Sequence, residues 1–492
     1  MPVISIEPVV GSRYLAERHG GCLKLCCRTG RAGSRCRRPT AAWYCADPVN
    51  RFMTVDPRSA RQIAAAAIGN ALEWYDFAIY SYFAVTISKL FFPPKGGWGP
   101  LLATFGLFAV AYVVRPVAGV ILGIYADRFG RKALLTFVMG LMAIGSAMIA
   151  VAPTYQTVGW AAPAIVLFAR LLQGVSAGGE FSSATAFLVE HAPPRRRGFF
   201  GAWQFSGQGA AVLLSGVTGL LVTYYLSGAE VESWGWRLPF AFGSVVGPVG
   251  LYIRLALAET PEFLHEQATR GRGKMSMTDL FGVCRRSLLI GLGLVLGGTA
   301  AFYVLFIFLP TYAIKVLKLG LDASFAGPVV AGATVTICCP IMGYASDRIG
   351  RRRMMAAAVV AFLVVVYPAF TWLQAAPSVT TLALVELGFG LLFSAYAGSF
   401  SAAIVDLFPV GARATAMAAA YNVGVALFGG GAPFIVAWLI ARTGDPIAPA
   451  YYVMAGLCLT LIAIAAMRPC VPGASLSSCI TSDASLRSGR QD

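Results

Sequence analysis

Long apolar stretches, separated by short charged or Pro/Gly-containing breaks, fill the chain from residue 62 to residue 467. Each is about 20 residues or longer, which matches the hydrocarbon core of a bilayer. Backbone polar groups in lipid must be satisfied within a segment, so the stretches predict helices, and strand-like alternation is absent. The pattern predicts twelve membrane-spanning helices, at residues 62–89, 100–124, 132–151, 162–188, 200–226, 237–258, 285–311, 323–345, 353–374, 378–404, 414–440 and 449–467.

Composition agrees with this pattern. Of the 492 residues, 57% are hydrophobic and only 12% are charged, whereas a soluble chain carries about twice that share of charge. We therefore expect an all-α integral membrane protein. Two acids, Glu73 and Asp76, interrupt the first apolar stretch within the segment GNALEWYDF.

Lysine and arginine cluster in every second loop, which predicts the orientation because cytoplasmic loops carry excess positive charge. These residues follow the even-numbered helices and include Arg128, Arg131, Lys132, Arg195, Arg196, Arg197, Arg348, Arg351, Arg352 and Arg413. We expect a multi-pass protein of the inner membrane with both termini cytoplasmic. The net charge of +17 mostly reflects this bias, so we expect no nucleic-acid partner.

Three polar segments flank or divide the apolar region. Residues 1–61 predict an unstructured cytoplasmic leader, and Met53 is an alternative start. Residues 259–284 predict a cytoplasmic linker between an N-terminal bundle, 62–258, and a C-terminal bundle, 285–467. The Ser-rich residues 468–492 predict an unstructured cytoplasmic tail.

The two bundles are repeats of one another. The segment GIYADRFGRK, Gly123–Lys132, recurs as GYASDRIGRR, Gly343–Arg352. A second pair follows, because Glu190 precedes Arg197 by seven residues, as Asp406 precedes Arg413. The chain is thus predicted to be two six-helix halves in the same order and orientation.

The duplicated loop motif resembles the signature of the major facilitator superfamily, which is built from two parallel six-helix repeats. The segments GNALEWYDF, RPVAGVILG (Arg115–Gly123) and RLLQGVSAGGE (Arg170–Glu180) are similar to the metabolite:proton symporter family. That family contains citrate, α-ketoglutarate, shikimate and proline/betaine permeases. The segment YQTVGWAAPAIVLFARLLQG is most similar to the organic-acid members.

The resemblance implies a secondary active transporter, not an enzyme, that takes up small organic acids such as citrate or α-ketoglutarate with protons by alternating access. Its partners would be a carboxylate substrate, protons and the lipid bilayer. We expect no cofactor and no metal, with the proton as coupling ion, and a monomer. A proton-coupled proline/betaine-type importer is the alternative.

The loop motif also has a mechanical interpretation. Asp127 lies where one helix ends and the next begins, so its carboxylate can accept from backbone N–H groups at the positive end of the next helix or pair with an arginine. Such contacts would hold the cytoplasmic ends together in one state and break in the other. The predicted gate residues are Gly123, Asp127, Arg128, Gly130, Arg131, Gly343, Asp347, Arg348, Gly350, Arg351, Glu190, Arg197, Asp406 and Arg413.

Charges within the predicted helices are costly, by roughly 2.5–3.5 kcal/mol at mid-span, and they concentrate in the first half. They are Glu73, Asp76, Arg115, Arg170 and Glu180, whereas the second half has only Glu386. Helical spacing places Asn70, Glu73, Phe77 and Tyr80 on one face of the first helix, and Arg170, Gln173 and Glu180 on one side of the fourth.

These residues predict a polar site inside the first half. The planar guanidinium groups of Arg115 and Arg170 suit a substrate carboxylate, and Gln173, Asn70 and Tyr80 are further candidates for substrate binding. A carboxyl group withdrawn from water favours its protonated form, so Asp76, Glu73 or Glu180 is the predicted site of proton coupling. A static buried network of paired charges is the alternative.

A membrane sensor and a drug exporter are the two other classes of protein that a helical membrane chain of this kind could represent. A membrane sensor that does not transport would need a folded signalling domain, and neither end of the sequence suggests one. A drug exporter can share the loop motif, but two intramembrane arginines suit anionic substrates better than lipophilic cations. The sequence leaves open which acid is carried and with how many protons.

Overall fold

The computed structural model describes residues 4–6, 13–19, 22–28, 43–45, 57–93, 97–129, 131–178, 180–190, 192–193, 195–245, 285–408 and 413–467. Within the helices, the side chains of residues 57–66, 120, 123–136, 180, 183, 187, 413 and 414 lie outside this description. The predicted linker at 259–284 and the predicted tail at 468–492 also lie outside it.

The leader differs from the prediction of an unstructured segment, because it contains four short strands. They are β1 (Ile4–Ile6), β2 (Arg13–His19), β3 (Cys22–Arg28) and β4 (Trp43–Cys45), paired antiparallel in that order. In the longest pairing, Arg13 lies opposite Arg28, and His19 lies opposite Cys22. Only Gly-Gly separates β2 from β3 in the sequence, a dipeptide favoured in tight hairpins. The leader, Met1–Arg61, is a compact unit by itself.

Twelve membrane-spanning segments, α1 to α12, follow one another within the described part of the chain. In the first half they are α1 (Pro57–Tyr82, continuing as Ala84–Phe91), α2 (Gly99–Phe129), α3 (Arg131–Val151), α4 (Ala161–Ser176 and Glu180–Glu190), α5 (Arg197–Tyr225) and α6 (237–245). Short helical turns at Tyr155–Val158 and Gly228–Glu230, and a π-helical turn at Val231–Gly235, connect them.

The second half repeats this arrangement. It contains α7 (Arg285–Phe302, Tyr303–Phe308 and Leu309–Lys315), α8 (Ala326–Ile349, preceded by Leu321–Ser324), α9 (Arg351–Ala375), α10 (Val379–Asp406), α11 (Arg413–Gly424, Val425–Gly430 and Ala432–Thr443) and α12 (Ala448–Ala466). The middle parts of α7 and α11 are π-helical.

Eight of these helices are long and apolar enough to cross a membrane by length and composition, counting only the described residues. They are α2, α5 and α7 to α12. Shorter apolar helices represent α3, at Phe137–Val151, and α4, at Ala161–Ser176. The polar residues Asn70, Glu73 and Asp76 interrupt α1, and the described part of α6 is short. The all-α, twelve-helix membrane fold predicted from the sequence is therefore confirmed.

The interruption in α4 follows from a run of glycines, which lowers helix stability. The first segment ends at Ser176, and the second begins at Glu180. The carbonyl oxygen of Gly178 lies at this break, and Asn422 on α11 donates to it at 2.7 Å. A polar side chain from the second half thus satisfies a backbone group of the first half.

The most extensive helix contact joins the halves, between α5 and α8. At this seam, a Cβ atom added at Gly209 on α5 would lie 2.7 Å from the backbone nitrogen of Thr336. One added at Gly332 on α8 would overlap the backbone nitrogen of Leu213. The two backbones approach this closely only because glycine has no side chain.

We expect Gly332→Leu to destabilise the protein by about 1–3 kcal/mol, because a side chain forced into a close backbone contact must push the helices apart. The measurement is the midpoint of thermal unfolding of purified protein in detergent. Gly388→Leu on α10 is the matched control, since no atom lies within 4 Å of a Cβ added there. Equal midpoints for the two variants would contradict a tight seam.

Candidate functional site

Two arginine side chains lie buried among aromatic rings inside the first half. The guanidinium carbon of Arg115, on α2, lies 4.0 Å from the ring centre of Tyr112 and 4.5 Å from that of Phe77. That of Arg170, on α4, lies 3.5 Å from the ring centre of Tyr80 and 5.8 Å from that of Phe77. Phe77 on α1 is thus shared between the two cations.

The rings stabilise both cations, because the face of an aromatic ring attracts positive charge, and more so where water is excluded. Arg115 is 3% exposed and Arg170 is fully buried. Yet the Nε and Nη2 groups of both side chains have no hydrogen-bond partner among the residues that the structure describes. Each arginine therefore keeps two unused N–H-bearing nitrogens, the type of donor that binds a carboxylate in a forked pair of hydrogen bonds.

A chain of three hydrogen bonds connects Arg170 to Asp76. Arg170 Nη1 donates to Gln173 Oε1 at 2.8 Å, and Gln173 Nε2 donates to Ser146 Oγ at 2.9 Å. Ser146 Oγ in turn donates to Asp76 Oδ2 at 2.5 Å. All four side chains are buried, so the chain runs from α4 through α3 to α1 without reaching solvent.

Asp76 faces the interior of the first half and not the interface between the halves. Its Oδ2 bonds to α3, while Oδ1 has no hydrogen-bond partner. A Cβ added at Gly243 on α6 would overlap Oδ1, so the glycine leaves room for the carboxyl group. The structure thus places Asp76 against α3 and α6 and connects it to Arg170 by the hydrogen-bond chain.

The other candidates on α1 have separate contacts. Asn70 donates from Nδ2 to the carbonyl oxygen of Gln204 at 2.7 Å and accepts from Gln204 Nε2 at 3.1 Å, which ties α1 to α5. Tyr80 donates to the carbonyl oxygen of Thr104 at 3.2 Å while its ring carries Arg170. Glu73 is half-buried and takes part in an interaction. The side chain of Glu180, the first residue of the second α4 segment, lies outside the described part.

A small cavity of about 20 Å³ lies between the halves. Trp74 borders it from α1 and also stands 5.7 Å from the guanidinium carbon of Arg115. The wall is mostly aromatic, with polar groups on Gln208, Thr299, Tyr303, Tyr396 and Tyr421. Neither Arg115 nor Arg170 belongs to the lining in this conformation, so the aromatic side chains of α1 separate the arginines from the cavity.

The second copy of the loop motif joins the two halves at one end of the bundle, which we call the repeat-loop end. Asp347, at the end of α8, accepts from the backbone nitrogens of Gly198 at 2.8 Å and Phe199 at 3.1 Å. These groups form the first turn of α5, where the residue at the N-cap position, Arg196, makes no side-chain cap. The positive end of α5 is therefore capped by a carboxylate from the other half.

For the equivalent Asp127 the sequence predicted either a cap on the following helix or a pairing with an arginine. Asp347 instead caps α5 of the other half, and it also pairs with Arg351. Gly350 separates α8 from α9. Its φ of +100° turns the chain sharply between α8 and α9, a conformation that favours glycine. The close passage of α5 brings its unsatisfied N–H groups to Asp347 instead.

An ion-pair network surrounds this cap. Arg351 Nη2 lies 3.4 Å from Asp347 Oδ1, and Arg351 Nη1 also pairs with Asp406 on α10. Arg197 on α5 lies 3.3 Å from Asp406 Oδ1, which again joins the halves. The guanidinium carbon of Arg348 lies 4.5 Å from the ring centre of Tyr344.

The remaining predicted gate residues fall partly outside the described groups. Gly343 packs against α5, since a Cβ added there would lie 2.6 Å from the carbonyl oxygen of Gly198. Glu190 is exposed and takes part in an interaction. α11 begins at Arg413, whose side chain is outside the description. In the first copy of the loop motif, the side-chain environments of Gly123, Asp127, Arg128 and Arg131 are also outside the description. Gly130 is not described.

The opposite end of the interface is held by uncharged groups. On α1, Ser81 donates to the carbonyl oxygen of Ile307 at 3.0 Å, and Tyr82 donates to that of Phe306 at 2.9 Å. Phe325, just before α8, packs against the ring of Tyr82 at 6.2 Å. The halves thus touch at both ends of the cavity.

Several residues of the site were missed in the sequence. Ser146 is one small residue in the apolar α3, and nothing in its surroundings marks it as part of a hydrogen-bond chain. Gln208 and Asn422 carried a usable signal, since an amide within a membrane-spanning helix is expensive unless it is paired. Gln208 lines the cavity, and its Nε2 has no hydrogen-bond partner.

Comparison with known proteins gives consistent matches. Residues 63–280 match the family model "Sugar (and other) transporter", and residues 330–475 match "Major Facilitator Superfamily". A citrate-proton symporter of Salmonella typhi is 36% identical over 397 residues, which cover 79% of this chain and 90% of the relative. A proline/betaine transporter of Escherichia coli (strain K12) is 31% identical over 425 residues, covering 84% of each.

Among solved structures, a D-xylose-proton symporter superposes with a TM-score of 0.66. The match covers 85% of this chain and 99% of that structure. At 19% sequence identity it demonstrates the shared fold alone. With its duplicated loop motif, its two six-helix halves and these relatives, the chain belongs to the major facilitator superfamily, in the metabolite:proton symporter family.

Proposed function

We propose that this protein takes up small organic acids, such as citrate or α-ketoglutarate, together with protons. The observation that carries the proposal is that the N-terminal half contains both free donors for a carboxylate and a buried acid connected to one of them. Arg115 and Arg170 keep unused N–H donors, and a continuous hydrogen-bond chain links Arg170 to the buried acid Asp76.

Substrate binding follows from the properties of the arginine side chain. A guanidinium group stays charged when it is withdrawn from water, and its planar fork matches the two oxygens of a carboxylate. In this conformation aromatic rings occupy the cationic faces. We propose that movement of α1 relative to α2 and α4 turns the free donors of Arg115 and Arg170 toward the cavity, where an acid with two carboxylates engages both.

Proton coupling follows from the polarity of the hydrogen-bond chain. The Ser146 hydroxyl has one hydrogen, which it gives to Asp76 while it accepts from Gln173. Once Asp76 is protonated, the carboxyl group can donate to Ser146 Oγ, which has two acceptor sites and also accepts from Gln173. The Ser146 hydrogen must then leave Asp76 Oδ2, so the direction of hydrogen bonding along the chain changes. Protonation also removes a negative charge near the cation, so an anionic substrate is attracted more strongly.

Alternating access follows from the contacts at the two ends. The halves rock about a central site in this fold, and the network around Asp347 closes the repeat-loop end while α1 and α7 close the opposite end. We propose that the repeat-loop end faces the cytoplasm, as do both termini, because arginine and lysine concentrate there. The inner membrane of the cell is the proposed location, and the site lies within one chain, so the proposed unit is a monomer.

The membrane potential constrains the stoichiometry. Moving one charge through 100 mV is worth about 2.3 kcal/mol. A trianion carried with one proton would move net negative charge against an inside-negative potential. Either several protons accompany the substrate or the substrate enters partly protonated.

A second candidate is proton-coupled uptake of proline or betaine. The specific observation in its favour is the aromatic cavity wall, with Trp74, Tyr303 and Tyr421, because aromatic cages recognise quaternary ammonium groups. One arginine would then serve the single carboxylate of such a zwitterion.

The two candidates are separated by a transport assay. In cells lacking carboxylate and osmolyte uptake, we expect accumulation of labelled citrate or α-ketoglutarate that a protonophore abolishes. Labelled shikimate, proline and betaine are the comparison substrates. Accumulation of proline or betaine alone would favour the second candidate, and no accumulation of any acid would refute the first.

Asp76→Asn is expected to abolish accumulation driven by a proton gradient but to preserve counterflow exchange of substrate. The amide cannot release a proton, whereas the substrate groups remain. Ser399→Ala is the matched control, since Ser399 is buried on α10 and bonds only to its own helix, at Ala395. Loss of both activities, or of neither, would rule out Asp76 as the coupling acid.

Arg115→Lys is expected to weaken apparent substrate affinity about tenfold to a hundredfold, the equivalent of losing one or two charged hydrogen bonds. Lysine keeps the charge but lacks the planar fork and the ring stacking. The measurement is the concentration dependence of initial uptake rates. A near-normal affinity would mean that Arg115 serves only to balance charge.

A further inference from the structure

A second buried acid lies in the other half, outside the machinery described so far. Glu386, on α10, is fully buried. Neither Oε1 nor Oε2 has a hydrogen-bond partner within the described part of the chain. It is absent from the cavity lining and from the network at the repeat-loop end.

The surroundings of Glu386 offer nothing to hold a negative charge. On α8 its neighbour is Gly327, where an added Cβ would lie 3.1 Å from Glu386 Cγ and 3.2 Å from Oε1. On α1 the titratable group that interacts with it is Tyr82, whose hydroxyl already donates to Phe306 on α7. On α10 itself the residues one turn away are Leu382, Ala383, Phe389 and Gly390.

Glu386 is withdrawn from water, and the described residues supply neither a hydrogen-bond donor nor a salt-bridge partner to its carboxyl group. An ionised carboxylate without donors is so costly in such a place that the group takes up a proton instead. In this closed conformation Glu386 therefore carries a proton.

The position of Glu386 connects that proton to the opposite end of the bundle. It lies seven residues after the start of α10 at Val379, which is about 10 Å along the helix axis. The adjoining end of α1 makes the contacts with α7 and Phe325 that close this side. When these contacts separate, water reaches Glu386 and stabilises its ionised form.

We propose that Glu386 is a second proton-binding site, distinct from Asp76, which holds a proton while the opposite end is closed and exchanges it with water when that end opens. This inference rests on the proposed proton-coupled transport and adds one proton to each cycle. The proton enters by binding to a carboxylate oxygen and leaves to water, so no other reactant is needed.

A second proton also suits the proposed substrates. Two protons make the transport of a dicarboxylate electroneutral, and they reduce the net charge moved with a trianion to one. The protonation of the two acids would depend on different changes. Protonation of Asp76 would depend on the contacts of Arg170, and protonation of Glu386 on whether the opposite end is closed.

The first test is infrared spectroscopy of the purified, substrate-free full-length protein over a pH series. We expect carbonyl absorption of protonated carboxyl groups that fades as pH rises in the wild type, loses one component in Glu386→Gln, and keeps that component in Asp76→Asn. Absence of such absorption, or absorption unchanged in Glu386→Gln, would overturn the proposal. Because no substrate is present, this result is independent of what the protein transports.

The second test is the number of protons moved per substrate in proteoliposomes, from the membrane voltage at which net flux reverses. We expect Glu386→Gln to move one proton fewer than the wild type. Ser394→Ala is the matched control, since Ser394 is buried on the same helix and bonds only to Gly390. If Glu386→Gln moves as many protons per substrate as the wild type, Glu386 does not exchange its proton during transport, and the proposal is overturned. Failure of the wild type to transport any acid would instead refute the proposed function.

Discussion

Two guanidinium groups buried inside one six-helix half impose the main constraint on this structure. A cation withdrawn from water must be compensated locally, and here aromatic faces supply much of that compensation. Phe77 and Tyr80 on α1, with Tyr112 on α2, therefore have to stay in place around Arg115 and Arg170. The same helix carries Asp76, so any displacement of α1 changes the surroundings of both cations and of the acid together.

Different kinds of interaction hold the two ends of the interface between the halves. At the repeat-loop end, a carboxylate caps a helix terminus and ion pairs surround it, whereas the opposite end relies on backbone acceptors and ring packing. Partly exposed ion pairs are weakened by salt, while apolar contacts are not. The balance between the two closures should therefore depend on ionic strength, with the repeat-loop end the more sensitive.

Much of this architecture was predictable from sequence, because lipid imposes a strict rule on apolar length and because the loop motif is duplicated. Arg115, Arg170 and Asp76 stood out, since ionisable residues are rare within membrane-spanning helices. Their partners did not. Ser146 is chemically ordinary, and only its position between Gln173 and Asp76 gives it a role.

Other differences arise from long-range packing that local sequence does not encode. For Asp127 the sequence suggested a cap on the next helix or a pairing with an arginine, whereas its counterpart Asp347 caps α5, because the close passage of α5 brings N–H groups from the other half. Asn70 shares a helical face with Tyr80, yet it bonds to Gln204 on α5. The strands of the leader rest on pairing between segments, which its charged and cysteine-rich composition did not suggest.

The glycine seam between α5 and α8 has a mechanical consequence. Because the two backbones are in direct contact there, without long interdigitating side chains, few side-chain contacts have to break when one helix tilts relative to the other. Such a seam acts as a fulcrum, where a small rotation keeps the centre in contact while one end of the interface spreads and the other tightens. Gly209 and Gly332 would then lie on the axis of that rotation. The extent of the motion between the halves would depend on the absence of a side chain at these two positions.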